Sequence, residues 1–394
     1  MRGSNHSGMR QFNERIVLQA IRHHGAIAKA DIARLTQLST QTVSIIVDRL
    51  LGDDLLVKQA RVRGRIGQPS IPLSLNPDGA FSIGLQVGRR SLEVLVCDFL
   101  GQPRHNLQYR YPFPDPDVVL PNIEHGLAEI QHAMGAQWER TVGIGMASPL
   151  SMHRWGDLMG DSTRHAMARW ESIDLPAEVR ALTHLPVDFA KDTTAACLAE
   201  MLQGQGRMVE SFLYVFVGTF VGGGLVTAGH LMAGQRNNAA AIGSMPMGMA
   251  AAPGKPPQLL QLASGWQLEQ TLQAAGHDPH LVHSDGIMDA AFAPWVAPWI
   301  EQASQALAMA ALSATALMDL DAVVIDGSLG RSLIQQLILQ TRQRLDDYQL
   351  DGLQAPAVMA GAVGPHARAL GGALLPLHTQ FFPLKDIFLK EDLA

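Results

Sequence analysis

An α/β chain in two parts is what the sequence predicts: a small, basic, mostly helical module at the N-terminus, then a larger domain in which strand hairpins alternate with long helices. Three observations lead there. The chain has 394 residues, 47% hydrophobic and 17% charged, enough to bury more than one core. Its charge is divided: residues 1–70 hold 11 Lys and Arg against 5 Asp and Glu, while the remainder holds 19 against 31, within a net charge of −6. At Phe81 the texture changes from helix-spaced apolar positions to alternating or continuous apolar runs.

In residues 12–24, Ile16, Val17, Ala20 and Ile21 share one helical face, and Gly25 ends the helix. Residues 29–35 form a short second helix and 36–39 a turn, after which Ser39 or Thr40 caps a third helix running to Leu51. Three short helices so spaced make a helix-turn-helix, whose last helix presents its N-terminal residues to the major groove. Here those are Ser39, Thr40, Gln41, Thr42 and Ser44, small polar side chains able to bond base edges or phosphates. The β-prone stretches 55–58 and 70–75 flank a basic, glycine-punctuated segment, a hairpin with a basic tip. Such a wing would lay Lys58, Arg61, Arg63 and Arg65 along phosphates or into the minor groove, and Lys29 and Arg49 complete the basic candidates. Three-helix modules also dock proteins. Polar recognition positions, a basic wing and the charge asymmetry together favour double-stranded DNA, because phosphate contacts draw on counterion release.

The module is expected to span 1–78 and the larger domain 79–394. In the latter, strands are predicted at 81–87, 92–98, 141–147, 211–216, 223–227, 322–325 and 357–359. Helices are predicted at 116–135, 174–182, 192–206, 258–275, 286–318, 329–348 and 364–380. Hairpin strands alternating with long helices imply two lobes rather than a barrel, the first about 79–200 with the helix 364–380, the second about 201–363. No apolar run reaches the roughly 20 residues of a membrane span and the N-terminus lacks an apolar signal core, so a cytoplasmic protein is expected. Cys97 and Cys197 lie far apart and form no zinc-ligand spacing. His277, His280 and His283 lie on no helical ligand face and read as solvated, and Gly222, Gly223 and Gly224 read as a turn.

Several segments carry a family resemblance. They are Asn13-Glu-Arg-Ile-Val-Leu, Leu38-Ser-Thr-Gln-Thr-Val-Ser44, Arg65-Ile-Gly-Gln-Pro69, the run from Val187 to Glu200 around Lys191-Asp-Thr-Thr-Ala, Gly218-Thr-Phe-Val-Gly-Gly-Gly-Leu-Val226, and the loop from Gly229 to Ser244. In this order and spacing the chain resembles the ROK family of repressors, open reading frames and kinases. In particular it resembles the family's regulators, which join a winged helix-turn-helix to a two-lobed actin-like (ribonuclease H-like) sugar-kinase-type domain. The resemblance implies DNA binding, a homodimer or tetramer, and a sugar or sugar-derivative effector in the cleft between lobes.

The departures bear on chemistry. Where the family's kinases carry an Asp and close-approach glycines around the ATP phosphates, this chain has Gln86-Val-Gly-Arg-Arg-Ser91, so ATP is not expected as a cofactor. Asp192 aligns with the family's catalytic base, and also suits sugar hydroxyls or a helix N-cap. Ala241-Ile-Gly-Ser244 stands where the family has Glu-Ile-Gly-His, Leu260 stands where a second sugar-binding Glu is expected, and the cysteine-rich zinc loop is absent. Ligand candidates are therefore Asp192, Thr194, Asn237, Asn238 and Ser244, with no catalytic residue and no metal assigned. The resulting expectation is a regulator, most simply a repressor, of carbohydrate genes. The alternatives are an active ATP-dependent sugar kinase, a protein-docking role for the N-terminal module, and a DNA-binding protein without a small ligand.

Overall fold

The computed structural model describes residues 6–61, 71–155, 161–248 and 255–383. Three helices, α1 (His6–His24), α2 (Lys29–Thr36) and α3 (Thr40–Gly52), open the chain, followed by strands β1 (Leu56–Lys58) and β2 (Leu73–Leu75). Val17, Leu18 and Ile21 of α1, Ile32 of α2, and Val43, Ile46, Val47 and Leu50 of α3 are buried together, the three-and-four spacing turned inward. The turn after α2 is made by Gln37 in the left-handed conformation. β1 and β2 pair antiparallel, and β2 also bridges back to Ile27, whose N–H donates to Leu73 O at 3.0 Å. The module is thus a winged helix-turn-helix. Arg63 and Arg65, expected at the wing tip, lie outside the described residues.

The larger domain contains two five-stranded sheets of one topology. The first comprises β3 (Phe81–Val87), β4 (Ser91–Asp98), β5 (Pro103–Arg110), β6 (Thr141–Ser148) and β7 (Val187–Lys191), in the order β5-β4-β3-β6-β7. The second comprises β8 (Phe212–Val217), β9 (Val221–Thr227), β10 (His230–Met232), β11 (Ala322–Gly327) and β12 (Ala357–Ala360), in the order β10-β9-β8-β11-β12. In each, the first three strands form an antiparallel meander, and the fourth and fifth are parallel to the first. This repeated pattern is the two-lobed actin-like architecture that the resemblance implied.

Helix α4 (Pro116–Met134) covers the outer side of the first sheet, and α5 (Asp161–Ala168) and α6 (Leu175–Thr183) follow it. Between the sheets run α7 (Asp192–Gln203) and, from the chain's far end, α12 (Ala367–Phe381). Their close fit depends on missing side chains: a Cβ at Gly145 of β6 would collide with the Gly372 carbonyl of α12. A Cβ on Gly224 would likewise strike Cys197 of α7. The glycines read as a turn therefore sit inside β9, where their smallness admits a helix.

The second lobe carries α8 (Leu259–Ala263), α9 (Gly265–Ala274), α10 (Ala293–Met318) and α11 (Arg331–Leu345). The single helix expected over 258–275 is broken at Ser264, which is extended because the next two amides are drawn elsewhere. Gly265 N–H donates to Gly218 O at 2.8 Å and Trp266 N–H to Thr219 O at 3.0 Å. Likewise the helix expected from 286 begins only at Ala293, with a proline in its first turn, after two 3-10 turns. β5, β7 and β10 were not expected as strands.

Head and body share one continuous apolar cluster. Arg22 of α1 lies over the rings of Phe99 (5.6 Å) and Phe382 (4.2 Å), Arg15 donates to Phe382 O at 3.1 Å, and Arg140 pairs with Asp54 at 2.9 Å. Among the described residues no helix is long and apolar enough to cross a membrane.

Candidate functional site

Two surfaces bear the candidate residues. On the head, Ser39 caps α3, its hydroxyl accepting from the Thr42 N–H at 3.1 Å and lying 2.8 Å from Thr42 Oγ1. Ser39, Thr40 and Gln41 are exposed, and Thr42 and Ser44 half-buried, so the first turn of α3 faces outward as a recognition helix requires. Lys29 reaches from α2 to Ser44 Oγ (3.2 Å) and Asp48 Oδ1 (2.8 Å). Its hydrogen bond and charge hold the Asp48 carboxyl below the usual range, so the acid on this face is paired with a cation. Arg49 pairs with Glu14 of α1 and is spent inside the module. Lys58 and Arg61 stay exposed on the wing. Ile45, 65% exposed between Gln41 and Asp48 on the outer face, was not among the candidates. Its signal was in the sequence: it falls out of phase with Val43, Ile46, Val47 and Leu50, and an exposed apolar side chain there suits a thymine methyl.

The second surface is a cleft of about 1140 Å³ between the lobes. Asp192 stands at its floor, one oxygen accepting from Thr193 N–H (2.8 Å), the other 3.8 Å from Arg368 Nη1. The neighbouring Lys191 donates to Ala239 O at 2.7 Å, and burial pushes its ammonium down to about 8. Asn238 and Ser244 also line the cleft. Asn237 is exposed in a left-handed turn outside the lining, and Thr194 is buried within α7, away from it. Ala241 and Leu260, where the resemblance expects carboxylates, both face the cleft.

The opposite wall is the β3–β4 turn. Its start is pinned by Tyr111, whose buried hydroxyl donates to Gly88 O at 2.8 Å. From it Arg90 crosses the cleft and grips Glu269 of α9 with two bonds, Nη1 to Oε1 at 3.1 Å and Nη2 to Oε2 at 2.6 Å. Glu269 is wholly buried, and His283 Nε2 lies 3.3 Å from it while the same ring's Nδ1 lies 3.0 Å from Ser328 O. Arg89 stacks on Trp266 at 4.1 Å, with its Nη1 3.9 Å from Glu269. Burial, then the charge of Arg90, lowers the Arg89 guanidinium to about 10. Of the histidines expected to be solvated, His280 and His283 are exposed, yet His283 also meets Glu269 and His280 lies 3.4 Å from Arg90, while His277 is half-buried, edge-on to Phe292 and Trp295. Glu269, Trp266 and Arg368 carried no signal in the sequence, since their partners lie far off in the chain, and Lys191 stood in a quoted segment without being singled out.

Comparison with known proteins adds three findings. The model of the ROK family matches residues 82–379. The Sinorhizobium fredii protein y4fQ, of uncharacterized function, is 25% identical over 94% of this chain and 92% of its own length. The Bacillus subtilis xylose repressor is 22% identical over 60% of this chain and 61% of its own. Among solved structures, a ROK family transcriptional regulator described as a homolog of the E. coli MLC protein aligns over 97% of this chain and 99% of its own, with a TM-score of 0.71 at 21% identity. A Streptomyces griseus ROK glucokinase, solved with glucose and AMPPNP, aligns over 75% of this chain and 99% of its own, with a TM-score of 0.58 at 19% identity. At these identities the structural likeness establishes the fold.

Proposed function

Because the chain belongs to the ROK family, we propose that it is a sequence-specific DNA-binding regulator, a repressor of carbohydrate uptake or metabolism genes. Its operator affinity is set by a sugar or sugar derivative in the interlobe cleft. The observation that carries this is the pairing of an outward-facing, capped recognition helix with a cleft whose phosphate wall is occupied by Arg89 and Arg90. Gln86 in place of an acid, and a turn committed to Glu269, weigh against ATP as a cofactor and against kinase activity. Ser244 in place of the family's histidine weighs against zinc. Asp192 then serves as an acceptor for ligand hydroxyls rather than as a base.

A homodimer, or a tetramer built from two, would place two recognition helices on a partly palindromic operator. One element joins cleft to head. Helix α12 starts at the cleft, where Arg368 stands beside Asp192, and at its far end Phe382 lies beneath Arg22 of α1. A ligand that binds one lobe arrangement better than another would bias the head through this rod, by no more than its differential affinity.

Fluorescence anisotropy of the full chain on its own upstream DNA, with a salt titration and a panel of sugars, tests this. Tight binding that falls steeply with salt and shifts with one compound is expected. Absence of sequence preference at every salt concentration would overturn it.

A further inference from the structure

The cleft's polar groups are one-sided. Gln86 is 2% exposed and lines the cleft, and its Nε2 has no hydrogen-bond partner among the described residues. Arg89, with only 9% of its side chain exposed, lines it too, and its Nε and Nη1 are without hydrogen-bond partners among the described residues. So is Nε of Arg368, whose guanidinium lies over the Phe216 ring at 4.9 Å. All four orphaned atoms are N–H donors. The carboxylates beside them are only distant partners: Glu269, 3.9 Å from Arg89 Nη1, is engaged by both bonds of Arg90 and by His283, and Asp192, 3.8 Å from Arg368 Nη1, accepts from the Thr193 N–H.

These donors cluster around one turn. Gln86 and Arg89 flank Gly88, and Arg110 stands opposite Ser91 in the sheet register. Tyr111, bonded to Gly88, feels the charge of Arg368. Among the described lining residues, Arg89, Arg90, Arg110, Lys191 and Arg368 stand with two carboxylates, Glu93 and Asp192, and the buried Glu269 behind them is taken by Arg90, in a chain that is acidic overall. A guanidinium stripped of water with its donors unfilled is costly, and the cost is relieved by a ligand offering acceptors and negative charge. Ala241 and Leu260, which also line the cleft, offer no side-chain acceptor to a sugar's hydroxyls.

We infer that the cleft is built for an anionic carbohydrate, one bearing a phosphate or a carboxylate, with the oxyanion at the Gln86, Arg89 and Arg368 wall and its hydroxyls toward Asp192, Asn238 and Ser244. This rests on the regulator assignment for the carbohydrate part; the anion preference stands on the cleft alone. The two sources of the charge are distinguished by geometry: a carboxylate is planar and a phosphate tetrahedral.

Isothermal titration calorimetry of the full chain tests it. The probes are neutral sugars (glucose, xylose, N-acetylglucosamine), their 6-phosphates where these exist, gluconate and glucuronate, with inorganic phosphate and Mg·ATP as controls. The expected result is that an anionic sugar binds about tenfold or more tighter than its neutral counterpart, and that Arg89→Gln or Arg368→Gln removes that preference. Whether a phosphate or a carboxylate member wins names the source. Because Arg89 stacks on Trp266, the same ligand should perturb tryptophan fluorescence in the unsubstituted protein, so the outcome does not depend on the variants folding. Neutral sugars binding as well as anionic ones, binding of phosphate or Mg·ATP alone, or no binding of any anionic sugar would each overturn the inference. Anisotropy on upstream DNA separates the two claims. Intact DNA binding without an anion preference sinks only this inference, whereas loss of sequence-preferring DNA binding sinks the regulator assignment.

Discussion

Arg90 and Glu269, 179 residues apart in sequence and on opposite lobes, are joined by two parallel bonds of 3.1 and 2.6 Å across the mouth of the cleft. The β3–β4 turn is thereby a clasp between the lobes. Its carboxylate is fully buried, while the arginine keeps 24% of its side chain exposed. Removing the carboxylate strands a largely desolvated cation, so Glu269→Ala should cost about 2–3 kcal/mol, less than for a fully buried pair. The double substitution Arg90→Met with Glu269→Leu should recover most of it. Urea unfolding midpoints of the three proteins check this; a cost near zero for Glu269→Ala would mean the lobes are held together elsewhere.

On the DNA face, base-reading and phosphate-binding residues should separate in their effects. Gln41→Ala and Ile45→Ala should each cost about 1–3 kcal/mol on the cognate operator and relax sequence preference, as loss of an edge contact does. Lys58→Ala and Arg61→Ala should weaken all sequences alike and each reduce the salt slope by about 1. Anisotropy titrations on cognate and scrambled duplexes distinguish the two patterns. Equal losses on both duplexes for Gln41 and Ile45 would remove them from the reading surface.

Ser39 has two potential duties, and its cap can be measured without DNA. Ser39→Ala should destabilise the folded chain by about 1 kcal/mol, and Ser39→Gly by only a few tenths. Thermal denaturation shows the ordering. Equal costs for the two would mean that the bond to the Thr42 amide contributes little.

Acid should loosen the seam between head and body. Burial, together with Arg22, Arg15 and His230, pushes His378 of α12 down to about 4 from its ordinary 6.5. It is neutral in the folded chain and takes a proton once unfolded, so its contribution is whole above about 6.5 and is lost as the pH falls toward about 4. His366 works in the opposite sense. Its hydrogen bond to Glu93 raises its pKa, so its contribution is present below 6.5 and fades as the pH rises through the raised value. Unfolding free energies measured across this range should fall with acid more steeply in the parent than in His378→Gln. Parallel profiles would dissociate His378 from the acid response.

How far the sequence could be read follows from the range of the forces involved. The head was legible nearly throughout, because Val17, Ile21, Ile32, Val43 and Val47 meet through three-and-four spacing and Ser39 caps its own helix. The strands β4, β8 and β11 were legible because burial on both faces makes them nearly continuous apolar runs, and β3 because Phe81, Ile83, Leu85 and Val87 alternate. β5 was not: as a sheet edge opening with Pro103 and alternately exposed, it reads as polar coil. The break at Ser264 was equally hidden, since the carbonyls of Gly218 and Thr219 that cause it lie some 45 residues away.

The cleft shows the division most clearly. Sequence alone determined that residues 86–91 carry Gly88 followed by two arginines, so that bulky, charged side chains stand at this turn, a local, steric fact. Only the tertiary structure decided what the two arginines do. A guanidinium has five donors and no inherent address, and the buried Glu269 that claims Arg90, like the ring of Trp266 that claims Arg89, is brought to it by the packing of the second lobe.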